Sequence, residues 1–356
     1  MHQGVVCSPS VCAVAAPVWR NYSLAGPENA RATERGLAGA NWYRAPVERE
    51  RLLAIQMRRD QPAAFHTVLW LVLLGLSAWW LIATWFSWWT LPAAFVYGTL
   101  YGSASDARWH ECGHRTAFRS RWANDVVYYL AAFMDMREPV SWRWSHHRHH
   151  NDTIIVGRDI EIAFQRPARF WKYGLELFGI LSAWGEIKKY GHNLIGRLPA
   201  DVADFVPQRE VPKAVFWGRV HVAGWAGAIT WAAVAGSMLP LMLVGLPTLY
   251  GRWLLVVYGT TQHAGLAEDV LDHRLNTRTV MMNPVSRFLY LNMNYHLEHH
   301  MFPSVPYHAL PQLHELVKDE LPRPFPSMWS AYRTILPALW RQRRDPSYCL
   351  EPGYGG

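Results

Sequence analysis

The chain has 356 residues, of which 51% are hydrophobic and 17% charged, with a net charge of +8. The apolar residues are unevenly spread, which argues against an ordinary soluble domain: 61–105 contains no Asp, Glu, Lys or Arg, and between Arg219 and Glu268 the only charged residue is Arg252. Core helices seldom run so far without a charge. The basic excess flanks these stretches and no nucleic-acid motif accompanies it, so the charge points to membrane-flanking residues and not to a nucleic-acid partner.

In chain order, residues 1–44 are rich in Ala, Gly, Ser and Pro and have no sustained periodicity. VCAVAAPVW is too short for a signal peptide and has no preceding basic cluster, so a flexible cytoplasmic tail is expected. A bilayer core about 30 Å thick needs roughly 20 helical residues to cross it, so 61–105 has room for two crossings. The first span is expected near Phe65 to Trp85, with a turn at FSWWT and a return span near Leu91 to Ser105. A second hairpin is expected from about Phe216 to Ala235, turning at GSM (236–238) and returning irregularly to about Tyr258, because Gly236, Pro240 and Pro247 oppose one continuous helix. Arg49, Arg51, Arg58 and Arg59 precede the first span and Lys188 to Arg219 the third, while both short turns lack Lys and Arg. The positive-inside rule therefore places both termini and the long polar segments in the cytoplasm. The fold expected is all-α, a polytopic membrane protein with four transmembrane helices in two hairpins and a helical cytosolic cap. Cys7, Cys12, Cys112 and Cys349 lack metal-ligand spacing, and free thiols in a reducing compartment are expected. Residues 321–356, with LPRPFPSMWSAYRTILPALWRQRR, form a C-terminal segment that lies in the headgroup layer or packs on the cap.

The polar segments carry three histidine clusters: HECGH (110–114), HHRHH (146–150) and HLEHH (296–300). HECGH fits the H-x-x-x-H helix spacing of a zinc peptidase, with Glu111 as general base, and His110 and His114 would share one helix face. Each later cluster holds H-x-x-H-H, namely His146, His149 and His150, then His296, His299 and His300, so each triplet is expected to converge on one place. His147 falls about 100° off that face and is set aside. Eight imidazoles gathered without metal would repel as cations or, left neutral and unsatisfied, cost roughly 1–3 kcal/mol each. They are too many for one catalytic ion and suit two; nitrogen ligation alone does not name the metal.

HECGH, HHRHH, and HLEHH followed by MFPSVPYHAL resemble the three histidine boxes of the integral-membrane fatty acid desaturase and hydroxylase superfamily, over roughly residues 45–320. The resemblance implies a catalytic domain of four transmembrane helices whose cytosolic cap holds two iron ions and uses O2. It also implies a further ligand outside the boxes, and His263 in TTQHAG stands at that place. Some members hold a water-bridged Asn four residues earlier; here that position is Gly259, and Asn294 is the nearest polar replacement. The expected metal set is thus His110, His114, His146, His149, His150, His263, His296, His299 and His300. Of the acids near the boxes, Asp106, Asp152 and Glu298 are expected to steady ligand rings, ahead of Glu111, Asp159, Glu161, Glu268 and Asp269.

The expected reaction is oxidation of an unactivated C–H bond. The first reading is a fatty acyl desaturase; the alternative is a hydroxylase or monooxygenase of a lipid or a small polar metabolite, and a remote one is an intramembrane zinc protease. HHRHHNDTIIVGRDIEI is also similar to a bacterial branch that includes a desaturase-like protein of rhizopine breakdown, which keeps a small N-methylated substrate open. A bacterial inner-membrane location follows. No iron–sulfur or nucleotide fingerprint is present, so an external donor is implied: a ferredoxin, rubredoxin or cytochrome with its reductase. Arg148, Arg158, Lys188 and Lys189 are candidate docking residues for an acidic carrier.

Overall fold

A computed structural model describes residues 20–351 and 353. Among the described residues every regular element is helical, and the only strand-like pairings are isolated bridges joining Thr279 to Tyr295 and Val280 to Phe325. The all-α expectation holds. Residues 1–19, with Cys7 and Cys12 and the first half of the expected tail, lie outside the described residues.

The remainder of that segment is ordered. Helix α1 (Pro27–Glu34) buries Ala32, and Leu24 and Leu37 are buried beside it. Arg20 explains the order: its guanidinium reaches Glu28, Glu268 and Asp269, while the Tyr22 hydroxyl donates to Glu268 at 2.8 Å. Such a clamp joins residues 248 positions apart, a separation that local composition does not reveal.

After α2 (Arg49–Ile55) comes α3 (Asp60–Ala83), apolar on all sides, with Phe65, Val68, Leu76 and Trp79 exposed. The stretch Arg49–Ala83 is the one helical stretch among the described residues that is long and apolar enough to cross a membrane. Its turn places Phe86 in the left-handed region at φ 65°, and α4 (Thr90–Gly102) returns against α3. Only Ser103 separates α4 from α5 (Ala104–Gly113), which carries the first histidine cluster, so the apolar helix leads directly into the site. α6 (Arg121–Met134) packs on α5 and buries Tyr128 and Ala131. α7 (Pro139–Asn151) carries the second cluster; the Glu138 carboxyl caps it, accepting the Val140 and Ser141 N–H groups at 2.8 and 2.7 Å.

Helices α8 (Phe170–Glu176), α9 (Ile180–Leu194) and α10 (Ala200–Ala203) lead to α11 (Val211–Ala235), which packs on α9 and ends at Gly236 with φ 57°. A glycine accepts this left-handed cap without a Cβ penalty. The return is broken into α12 (Leu239–Leu243), α13 (Pro247–Tyr250) and α14 (Trp253–His263), interrupted at Gly245 and at the expected prolines. Small residues allow α4 to cross this corner: a Cβ on Gly251 would fall on the Gly98 carbonyl, and one on Gly102 on the Pro247 carbonyl.

The short helices α15 (His273–Asn276), α16 (Pro284–Leu289), α17 (His296–Met301) and α18 (Leu310–Val317) complete the cap. Its core joins Trp109 and Tyr128 to Leu297, Met301, Leu310 and Leu313. α19 (Met328–Gln342) buries Ala331, Ile335 and Leu339 and exposes Trp329 and Trp340. Cys112 is a buried free thiol, whereas Cys349 is disulfide-bonded, which corrects the expectation of free thiols throughout.

Candidate metal centre

The nine expected histidines fall into two adjacent groups, each able to hold an ion: His110, His114, His146, His150 and His299 in one, and His149, His263, His296 and His300 in the other. The rings of His150 and His300 stack across the boundary at 4.3 Å between centroids. His147, set aside on the helix wheel, is exposed and lies 3.2 Å from the Asn151 amide, outside both groups.

The triplets do not converge on one place each, and this corrects the sequence expectation. On α7, His146 and His150 face the first group while His149 faces the second; on α17, His296 and His300 face the second while His299 faces the first. Helical geometry supplies the reason. Successive residues turn by about 100°, so i and i+4 lie about 40° apart, whereas i+3 lies on the other side of i, about 100° from i+4. One triplet on a rigid helix thus reaches two centres.

Hydrogen bonding fixes which nitrogens are free. His146 Nδ1 lies 3.1 Å from Glu161 Oε2, His149 Nδ1 2.8 Å from Asp159 Oδ2, and His263 Nδ1 2.8 Å from the Asn276 carbonyl. His300 Nδ1 lies 3.2 Å from Thr153 Oγ1, whose proton goes to the His149 carbonyl. These acceptors place the N–H on Nδ1, so the Nε2 lone pairs point inward, the arrangement of ring ligands held by outer partners. There they crowd. His146 Nε2 is 3.0 Å from His114 Nε2 and 3.1 Å from His150 Nε2; His296 Nε2 is 3.1 Å from His263 Nε2 and 3.0 Å from His300 Nε2. A single proton on each hub nitrogen cannot serve two neighbours, and both nitrogens of buried His110 lack any partner.

A divalent ion in each group would resolve the conflict. Two nitrogens each about 2.1 Å from one ion, at about 90–100°, stand about 3.0–3.2 Å apart, which matches the observed contacts. The protonation states agree: burial first, then neighbouring imidazoles, holds His110, His146, His150, His296, His299 and His300 well below the ordinary histidine range. Burial also lowers His114 to about 4. His149 departs from this pattern, because the Asp159 carboxylate overcomes the effect of burial and raises it to about 9.

The three favoured acids stand elsewhere. Asp106 pairs with Arg137, which lies 4.2 Å over the Trp109 ring, and Trp109 in turn meets the His146 ring edge-on, so its influence is indirect. Asp152 pairs with Arg158 at 3.0 Å. Glu298 accepts from Thr279 and pairs with His314. Asn294 donates to the Val280 carbonyl at 3.0 Å, and its Oδ1 is buried without a partner. The acids that do touch the rings are Asp159 and Glu161. Buried His273 was not foreseen; it stacks on Trp42 at 4.2 Å and lies 5.2 Å from the His300 ring. Nothing in its spacing marks it.

Fold and site together define a helical protein in which an apolar helix pair leads into two adjoining, all-histidine pockets suited to metal. The chain belongs to the fatty acid desaturase family: the model described as fatty acid desaturase matches residues 86–332, which include all nine histidines. It is therefore an oxidoreductase of a lipid-desaturating family. An endoplasmic-reticulum omega-6 fatty acid desaturase of Brassica juncea is 21% identical over 84% of this chain and 85% of its own length. A delta(12)-oleate desaturase of Trichosanthes kirilowii is 24% identical over 68% and 71%, and an sn-1 oleoyl-lipid 12-desaturase of Anabaena variabilis 32% over 31% of each.

Proposed function

We propose that this chain is an O2-dependent membrane oxidase that holds two iron ions, one per histidine group, and introduces a double bond into a fatty acyl chain. The observation that carries the reading is the convergence of inward lone pairs in two touching groups, in a chain whose relatives are named as fatty acid desaturases. His110, His114, His146, His150 and His299 would hold one ion and His149, His263, His296 and His300 the other. When bound, the pair supplies reduction of dioxygen and removal of hydrogen from an unactivated C–H bond, with electrons from an external ferredoxin, rubredoxin or cytochrome and its reductase.

The protein's own part is positional. Asp159, Glu161, Thr153 and the Asn276 carbonyl hold four Nδ1–H groups and so aim four Nε2 atoms. His296, His299 and His300 are themselves buried, which keeps bulk water from them. The peptidase reading finds no support at Glu111, which is fully buried and accepts the Tyr307 N–H at 3.1 Å inside the core.

Four crossings, α3, α4, α11 and the broken α12–α14, would place the cap and both termini on the basic, cytoplasmic side of a bacterial inner membrane. Residues 45–320 form the catalytic domain in this reading, and Trp329 and Trp340 of the C-terminal segment rest in the headgroup layer. Of the docking candidates, Arg148, Arg158 and Lys189 already pair with acids of this chain.

The test is mass spectrometry of lipids and soluble metabolites from cells expressing the chain or His299→Ala. New acyl double bonds confined to the unsubstituted chain support the proposal. A gain of one oxygen instead assigns hydroxylation, and an unchanged lipid profile with an altered soluble metabolite removes the acyl substrate.

A further inference from the structure

Arg278 has only 6% of its surface exposed, yet its Nε and Nη1 have no hydrogen-bond partner. Only Nη2 is engaged, with the Ala264 carbonyl, and among the described residues no carboxylate pairs with the group. A guanidinium withdrawn from water without a counter-ion is strongly unfavourable, so its unmet donors ask for an anion. Arg278 lines a cavity together with Arg274 and Arg323. Arg274 is committed to Asp272, with contacts of 2.7 and 3.0 Å. Arg323 is exposed and makes no ion pair among the described residues. The hydroxyls of Thr277, Thr279 and Thr334 on the same wall donate to Asn276, Glu298 and the Ala331 carbonyl. The side chains on this wall with donors still unmatched are therefore the guanidiniums of Arg278 and Arg323. Glu351 also lines the cavity, is exposed and is engaged in a contact of its own.

We propose that this cavity binds a phosphate-class oxyanion, held by the Arg278 guanidinium within and by Arg323 at the rim. Phosphate suits the arrangement because it offers several oxygens and up to two charges to two guanidiniums. Leu297 and Phe325 give the cavity an apolar wall against which the organic part of a phosphate ester can lie. The site is separate from both histidine groups and does not depend on the desaturase reading. It is nevertheless next to them in the chain: the Arg278 N–H donates to the Gln262 carbonyl at 3.1 Å and its side chain to Ala264, on either side of His263.

The test titrates inorganic phosphate into the full chain in detergent, in a phosphate-free buffer, beside Arg323→Gln and Arg278→Met, by calorimetry. Saturable binding near one phosphate per chain, weakened about tenfold or more in Arg323→Gln, is expected. Because Arg323 is exposed, that variant remains informative even if Arg278→Met does not fold. Absence of saturable binding, or binding that Arg323→Gln leaves unchanged, overturns the site. Nanodiscs with and without phosphatidic acid identify the source: loss of phosphate binding when that lipid is present assigns a headgroup, and undiminished binding assigns free phosphate or a soluble ester.

Discussion

The two histidine groups are built from the same helices in opposite proportion. The first takes a pair from α7, one ring from α17 and a second pair, His110 from α5 and His114 at its C-terminal cap; the second takes a pair from α17, one ring from α7 and, in place of that second pair, His263 alone. Five nitrogens against four is the first consequence. The second concerns support: three of the four second-group rings, His149, His263 and His300, lean on Asp159, the Asn276 carbonyl and Thr153. In the first group only His146 has such an acceptor, Glu161. The first group draws redundancy from helix regularity, and the second depends on loops that must fold onto it.

If that contrast is right, ligand loss should be uneven. His263→Ala leaves three nitrogens in the second group and should release its ion with more than about 100-fold loss of activity, above the range for outer partners. His114→Ala leaves four in the first group and should retain more metal. Metal analysis of purified variants decides this, and equal loss from both would break the comparison. A smaller effect is expected one shell out. Asp159→Asn should weaken metal retention about 10–100-fold, and Glu161→Gln toward the lower end of that range, because Glu161 keeps 15% side-chain exposure while Asp159 has none. Chelator competition at fixed pH measures both. Thr153→Val should produce a change of only a few fold, confined to the second group, since it loosens His300 while the carboxylate partners remain.

The smallest effect concerns α7, one of the two helices that the groups share. Burial raises the Glu138 cap of α7 from 4.5 to about 7. Between these values the unfolded chain has released a proton that the folded chain retains, so stability should fall as pH rises from about 4.5 to about 7 and then level off. Thermal unfolding of Glu138→Gln across that window should show a flatter slope; an unaltered slope removes Glu138 as its cause.

Much of the site was legible because its donors are local. H-x-x-H-H and H-x-x-x-H are helix-spaced patterns that survive without knowledge of the fold. The partition of each triplet was not legible, since a wheel shows that i+3 diverges from i+4 but not that a second centre waits there. Asp159 and Glu161 were passed over because 152–161 folds back through left-handed Ile154 and Gly157, a reversal that periodicity does not register. The signal available was the closely spaced RDIE after the second box. The ends of the apolar stretches were legible from FSWWT and GSM, with α3 and α11 beginning five residues earlier than expected. The order of residues 20–44 was not, because Arg20 finds its acids only after the distant Glu268 loop has folded.

The division of α7 and α17 between the two pockets has a mechanical result. Each helix acts as a strut reaching both sites, so the distance between two ions held there would be set by the angular step of a single turn and not by how separate segments happen to dock. A strain that rotates either strut moves donors at both ends together, and the pair therefore changes as one object.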